Sequence, residues 1–83
     1  MMTRTDYATL YEAALREAIA RHPDEYGPNA ADDAPRTVAR MMVALDDGTA
    51  NVTGSDALRI VARRLSIPHT ARAVMAHYRE SVR

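Results

Sequence analysis

The sequence predicts an all-α fold, a compact bundle of about four short helices in a single domain covering residues 1–83. Three observations predict it. Apolar residues recur at three- and four-residue steps in four separate segments, the breaks between them fall at Pro, Gly and Asp, and no segment reads as a strand. A chain of 83 residues is expected to form one domain, with no room for a second. Hydrophobic residues at 47% and charged residues at 27% give the balance of a folding chain rather than a disordered one.

The first helix runs from about Asp6 to Arg21 on the stripe Tyr7, Leu10, Tyr11, Ala14, Leu15, Ala18 and Ile19. Thr5 or Asp6 caps it, Glu12–Arg16 and Glu17–Arg21 are ion pairs on its wet side, and Pro23 stops it. The stretch Pro23 to Ala34 has loop composition, with one helical turn at Asp24-Glu25-Tyr26. A second helix begins after Asp33, with Pro35 in its first turn, and ends at Asp46-Asp47-Gly48. Its interior, Val38 to Leu45, is apolar nearly all round apart from Arg40. That pattern either puts the helix at the centre of the core or turns one of its faces to another protein. Asp46 and Asp47 oppose its dipole, a local cost that asks for a capping or functional role.

Thr49 to Gly54 is a polar turn, and Thr53-Gly54-Ser55-Asp56 reads as the cap of a third helix. Leu58, Val61, Ala62 and Leu65 face inward from it, while Arg59, Arg63 and Arg64 form a basic outer face. Ser66-Ile67-Pro68 breaks that helix. Pro68 then opens a fourth, in which Ala71, Val74, Met75, Tyr78 and Val82 point inward. Tyr7, Tyr11 and Tyr78 belong to the core or, with hydroxyls at its edge, to the seam of a homodimer.

Eleven Arg and no Lys balance eleven acids, so no whole-chain field calls for nucleic acid or a membrane. Cut at Gly48, however, the chain is unequal. Residues 1–47 carry five Arg against nine acids, and residues 48–83 carry six Arg against two. The absence of Lys is read as coding bias, although Arg also suits bidentate phosphate contacts.

Without cysteine there are no disulfides, thiolate metal sites or thiol nucleophiles, and a small chain without such staples is expected inside the cell. The longest apolar run, Met41 to Leu45, is far short of the roughly 20 residues that span a bilayer. The N-terminus has charges where a signal peptide has an apolar core. The expected location is cytoplasmic, with no membrane partner. His22, His69 and His77 lack helical metal-ligand spacing, and Ser55, Ser66 and Ser81 lack the glycine context of a nucleophile elbow. Three glycines build no phosphate cradle, and Asp46-Asp47-Gly48 lacks alternating calcium ligands. The expectation is a binding protein with no catalytic residue, metal or cofactor.

Residues Ala57 to Tyr78 resemble a helix-turn-helix. Ala62 is the small residue that lets the second helix approach, Leu65 and Ile67 bracket the turn, and Val74 and Met75 seat the second helix. The resemblance implies that His69, Thr70 and Arg72 face a major groove while Arg59, Arg63 and Arg64 meet phosphates. Two positions depart from the motif: Ser66 stands where Gly is usual, and Arg72 where a buried apolar residue is usual. The alternative for this segment is a structural corner between two packed helices.

The stretch Leu65 to Val74, following Ala39 to Leu45 and the Gly48 turn, also resembles small proteins carried by bacteriophages and prophages. That likeness implies a mobile-element origin and one of two roles. One is DNA binding through the basic C-terminal helix pair. The other is inhibition of a host defence complex, of the anti-CRISPR kind. The likeness assigns residues to neither role, and the acidic groups Asp24, Glu25, Asp32, Asp33, Asp46 and Asp47 are candidates for the second only because carboxylate runs suit basic grooves. The expected partners are therefore nucleic acid or a host protein complex, with a second copy of the chain as a further candidate.

Overall fold

Thr3 starts the first helix. Its hydroxyl accepts the Asp6 N–H at 3.1 Å, and the Asp6 carboxylate accepts the Thr3 N–H at 2.9 Å, a reciprocal capping box. The cap therefore lies earlier than Thr5 or Asp6. A capping box needs an acidic or amide residue three places after the hydroxyl, which Thr3 finds in Asp6 and Thr5 does not find in Ala8. The computed structural model describes residues 2–49 and 55–82, and among these it contains five helices and no strand. They are α1 (Arg4–Arg21), α2 (Pro23–Tyr26), α3 (Ala30–Asp47), α4 (Ser55–Leu65) and α5 (Ala71–Ser81). The all-α bundle is as the sequence predicts, with the single turn at Pro23–Tyr26 as the additional helix.

α3 begins four residues before Ala34, so Asp32 and Asp33 sit in its first turn and Pro35 lies inside it. A proline there cannot donate to the carbonyl of Ala31, one turn back. Arg16 of α1 fills that gap, donating from Nη1 to the Ala31 oxygen at 3.3 Å. At the other end Gly48 takes the left-handed conformation (φ 70°), and Thr49 N–H returns to the Ala44 carbonyl at 2.9 Å, closing the helix where the sequence places its end. The cap expected at Thr53 and Gly54 lies outside the described residues.

α4 ends at Ser66, whose φ of 57° is the left-handed geometry a helix stop asks for, and the Ile67 N–H reaches back to the Ala62 carbonyl at 3.0 Å. Pro68 does not open the next helix. Thr70 does, its hydroxyl accepting the Ala73 N–H at 3.0 Å, which leaves residues 66–70 as connector.

α1 packs against α2, α3 and α4, and α5 leans on α3 and α4. The centre is therefore α1, whose Tyr7, Tyr11, Ala14, Leu15 and Ala18 are buried, and not α3. α3 buries one stripe, Ala34, Val38, Met41, Met42 and Leu45, and leaves Ala39, Arg40 and Val43 exposed. Alternation of buried and exposed apolar residues along α3 is the reason its sequence looks apolar all round. Tyr7, Tyr11 and Tyr78 are 0%, 1% and 5% exposed, so they fill the core.

Candidate functional site

The basic outer face expected on α4 exists, and it is built from two helices. Arg59 and Arg63 are exposed one turn apart. They line a cleft of about 120 Å³ together with Arg21 and His22 from the end of α1, and with Asp56 and Ile60 of α4. Arg21 and His22 were not among the nucleic-acid contacts expected from the sequence, where Arg21 was read only as the ion-pair partner of Glu17. The signal that could have found them is the Arg-His pair at the C-terminal end of a helix, where cations are favoured by the dipole. Neither Arg59 nor Arg63 enters an ion pair among the described residues.

Arg64 has a partner. Its Nη2 lies 3.2 Å from Glu17 Oε2, while Glu17 Oε1 takes Arg21 Nη2 at 2.7 Å. One half-buried carboxylate thus holds two guanidinium groups, one from its own helix and one from α4. The Glu17–Arg21 pair expected from sequence is present, and the Glu12–Arg16 pair is longer at 3.9 Å because Arg16 also turns to Ala31.

The other residues implied by the helix-turn-helix resemblance spread along the corner. His69 is exposed in the connector, Thr70 spends its hydroxyl on the α5 cap, and Arg72 is exposed in the first turn of α5. The unusual Arg72 therefore points to solvent. Ala62 and Val74 are fully buried and Ile67 and Met75 half-buried where α4 and α5 pack on each other.

The six acidic residues do not form one patch. Asp24 and Glu25 are exposed on α2, Asp32 and Asp33 on the first turn of α3, and Asp24 shares a cleft with Ala31 beside them. Asp46 belongs to a different arrangement. Its Oδ2 accepts from Arg4 Nε at 3.0 Å and Nη2 at 2.8 Å, and its Oδ1 accepts from the Tyr78 hydroxyl. The Arg4 bonds, then the Tyr78 bond, hold its carboxyl below its ordinary value of 3.8. Asp47, exposed, borders the same open cleft of about 460 Å³ as Arg4, Tyr78 and Arg79.

Behind this cleft lies an internal polar contact with no counterpart in the sequence reading. Tyr7 stands edge-on to Tyr78, with ring centres 5.0 Å apart, and its hydroxyl is hydrogen-bonded to His77 Nδ1, with Ser81 Oγ 3.5 Å from the same nitrogen. Burial raises the pKa of the Tyr7 and Tyr11 phenols, and burial followed by the Asp46 contact raises that of Tyr78. No buried side-chain polar atom is left without a partner among the described residues, so this seam is a satisfied core and not a vacant site.

Among the described residues no helix is long and apolar enough to cross a membrane, and no group of three acidic or histidine side chains is placed to hold a metal ion. In comparison with known proteins, the chain matches no protein family, no curated protein and no solved structure.

Proposed function

We propose that the protein is a non-enzymatic nucleic-acid-binding protein that grips phosphates through the basic face of α4 and the end of α1. The observation that carries this reading is the cleft in which exposed Arg59 and Arg63, in no ion pair among the described residues, meet His22 and the Glu17-held Arg21, with Asp56 as the one acid in the lining. Guanidinium groups with free donors suit phosphate oxygens, and several of them on one small surface add their charge. Arg72 and His69 extend the contact along the α4–α5 corner, which presents base-reading groups if it works as a helix-turn-helix. A mobile-element origin fits a short binding protein of this kind.

The test is fluorescence anisotropy with labelled duplex and single-stranded DNA at low and physiological salt. Wild type binds at low salt and weakens as salt rises, with a log–log slope of about −0.9 per duplex phosphate contacted. Arg59→Glu with Arg63→Glu reduces affinity by about ten-fold or more while the helical circular dichroism stays intact, because both positions are exposed. Absence of binding at low salt overturns the reading.

A second reading has one observation in its favour: Asp24, Glu25, Asp32 and Asp33 are exposed on adjoining turns and form no ion pair among the described residues. Such a group can enter a basic groove on a host protein complex and inhibit it. A stoichiometric host partner that is lost with Asp32→Asn and Asp33→Asn supports this reading. A partner that is retained by that variant removes it.

A further inference from the structure

α3 turns to solvent a stripe that no other described element covers. Seven residues make nearly two turns of helix, so Arg40 and Asp47 lie on one line along its surface with Val43 between them. All three are exposed, and Val43, at 53%, is the one large apolar side chain among the described residues left mostly in solvent. Arg40 and Asp47 enter no ion pair among the described residues, whereas the neighbouring Asp46 is held by Arg4. Beside Val43 runs a groove of about 420 Å³ between α1 and α3, lined by Ala8, Ala39 and Met42 among others.

The order cation, valine, anion is complementary to its own reverse. When two copies of α3 run antiparallel about a two-fold axis through Val43, each Val43 meets its counterpart at the mouth of the groove. Each Arg40 then comes within reach of the Asp47 of the other copy, and the pair forms twice. The charges also select this register. Sliding the axis one turn toward the start of α3 sets Asp32 and Asp33 of one copy against Asp46 and Asp47 of the other, and that juxtaposition of like charges opposes association. Ala39, small and exposed next to Val43, adds no bulk to hold the backbones apart.

We propose that this face of α3 joins two copies of the chain as an antiparallel two-fold dimer centred on Val43, with reciprocal Arg40–Asp47 pairs. The overlap covers a little over two turns of helix. So short an overlap, joined by two exposed ion pairs, makes a weak dimer that forms at roughly 100 µM and above and is weakened by added salt.

Sedimentation velocity over a concentration series in low-salt buffer tests the proposal, with circular dichroism to verify folding of each variant. Wild type shows a concentration-dependent rise toward the dimer, and Val43→Glu removes it. Arg40→Asp leaves acids at both ends of the stripe and Asp47→Arg leaves cations at both ends, so each alone loses about ten-fold or more in association constant. An equimolar mixture of these two variants associates at least as well as wild type, because every cross-pair is then opposite in sign. A wild-type chain that stays monomeric to about 1 mM overturns the proposal. So does a dimer that survives Val43→Glu, or a mixture no more associated than its components.

Discussion

Asp46 sits at the negative end of the α3 dipole, where a carboxylate is unfavourable on local grounds. Arg4, forty-two residues earlier in the chain, and Tyr78 offset that cost by binding both its oxygens. The sequence marks Asp46 as a misplaced charge but not its partners, because neither lies within a turn of it. Its pKa is lowered on folding, so the stabilisation is present above the ordinary value of 3.8 and is lost as pH falls through the lower folded value. Asp46→Asn therefore gives a chain less stable near neutral pH whose stability falls less steeply in acid, and urea unfolding from pH 6 to pH 2 measures both. A variant with the wild-type acid slope removes Asp46 from the acid-sensitive groups; Asp6, lowered by its bonds to Thr3, retains its own share. Ser66 makes a simpler case. Its φ of 57° strains a residue with a β-carbon, and glycine takes the same angle freely. Ser66→Gly should stabilise by about 0.5–1 kcal/mol net of the extra freedom of the unfolded chain, raising Tm by roughly 3–6 °C in a thermal melt. A lowered Tm contradicts the strain argument.

Helix α3 shows where reading local signals stops working. Asp33 followed by Pro35 looks like a cap and a first-turn proline, yet the helix runs through both from Ala30. What makes the earlier start tolerable is tertiary, since the carbonyl that Pro35 leaves without a donor is taken by Arg16 from α1. By contrast the body and end of α1, the stop at Gly48 and the outward face of α4 were legible, because each follows from periodicity or from a residue's own backbone preference. The exchange between Arg16 and Pro35 can be measured as a double-mutant cycle. Arg16→Ala alone should cost about 0.5–1 kcal/mol, the net worth of one such hydrogen bond. Pro35→Ala should stabilise by about 1–3 kcal/mol as the helical N–H is restored. In the Pro35→Ala background the Arg16→Ala cost should nearly vanish. An undiminished cost in that background would show that Arg16 acts through its Glu12 pair instead.

Charge is segregated along the sequence into an acidic first half and a basic second half, but folding does not leave the halves as two separate surfaces. Glu17, from the acidic half, reaches across to Arg64 of α4 while holding Arg21 of its own helix. Half of the candidate site was legible as an arginine face on one helix. The other half, from the end of α1, was not, because it depends on the packing of α1 along α4. This places a counterion at the edge of the basic cleft, where it competes with any phosphate for the two guanidinium groups it already holds. Glu17→Gln keeps the shape and an acceptor oxygen but removes the charge. If the α4 face binds nucleic acid, this variant should bind labelled duplex about three- to ten-fold more tightly at low salt. Its salt dependence should steepen by up to about 1.8 log units per log unit as Arg21 and Arg64 become available to phosphates. The exposed pairs it gives up are worth little to folding, about 0–1 kcal/mol each, so its melting temperature should move only slightly. Tighter binding with an unchanged slope would mean a general gain in positive field and not two released contacts, and unchanged binding would place Arg21 and Arg64 outside the interface.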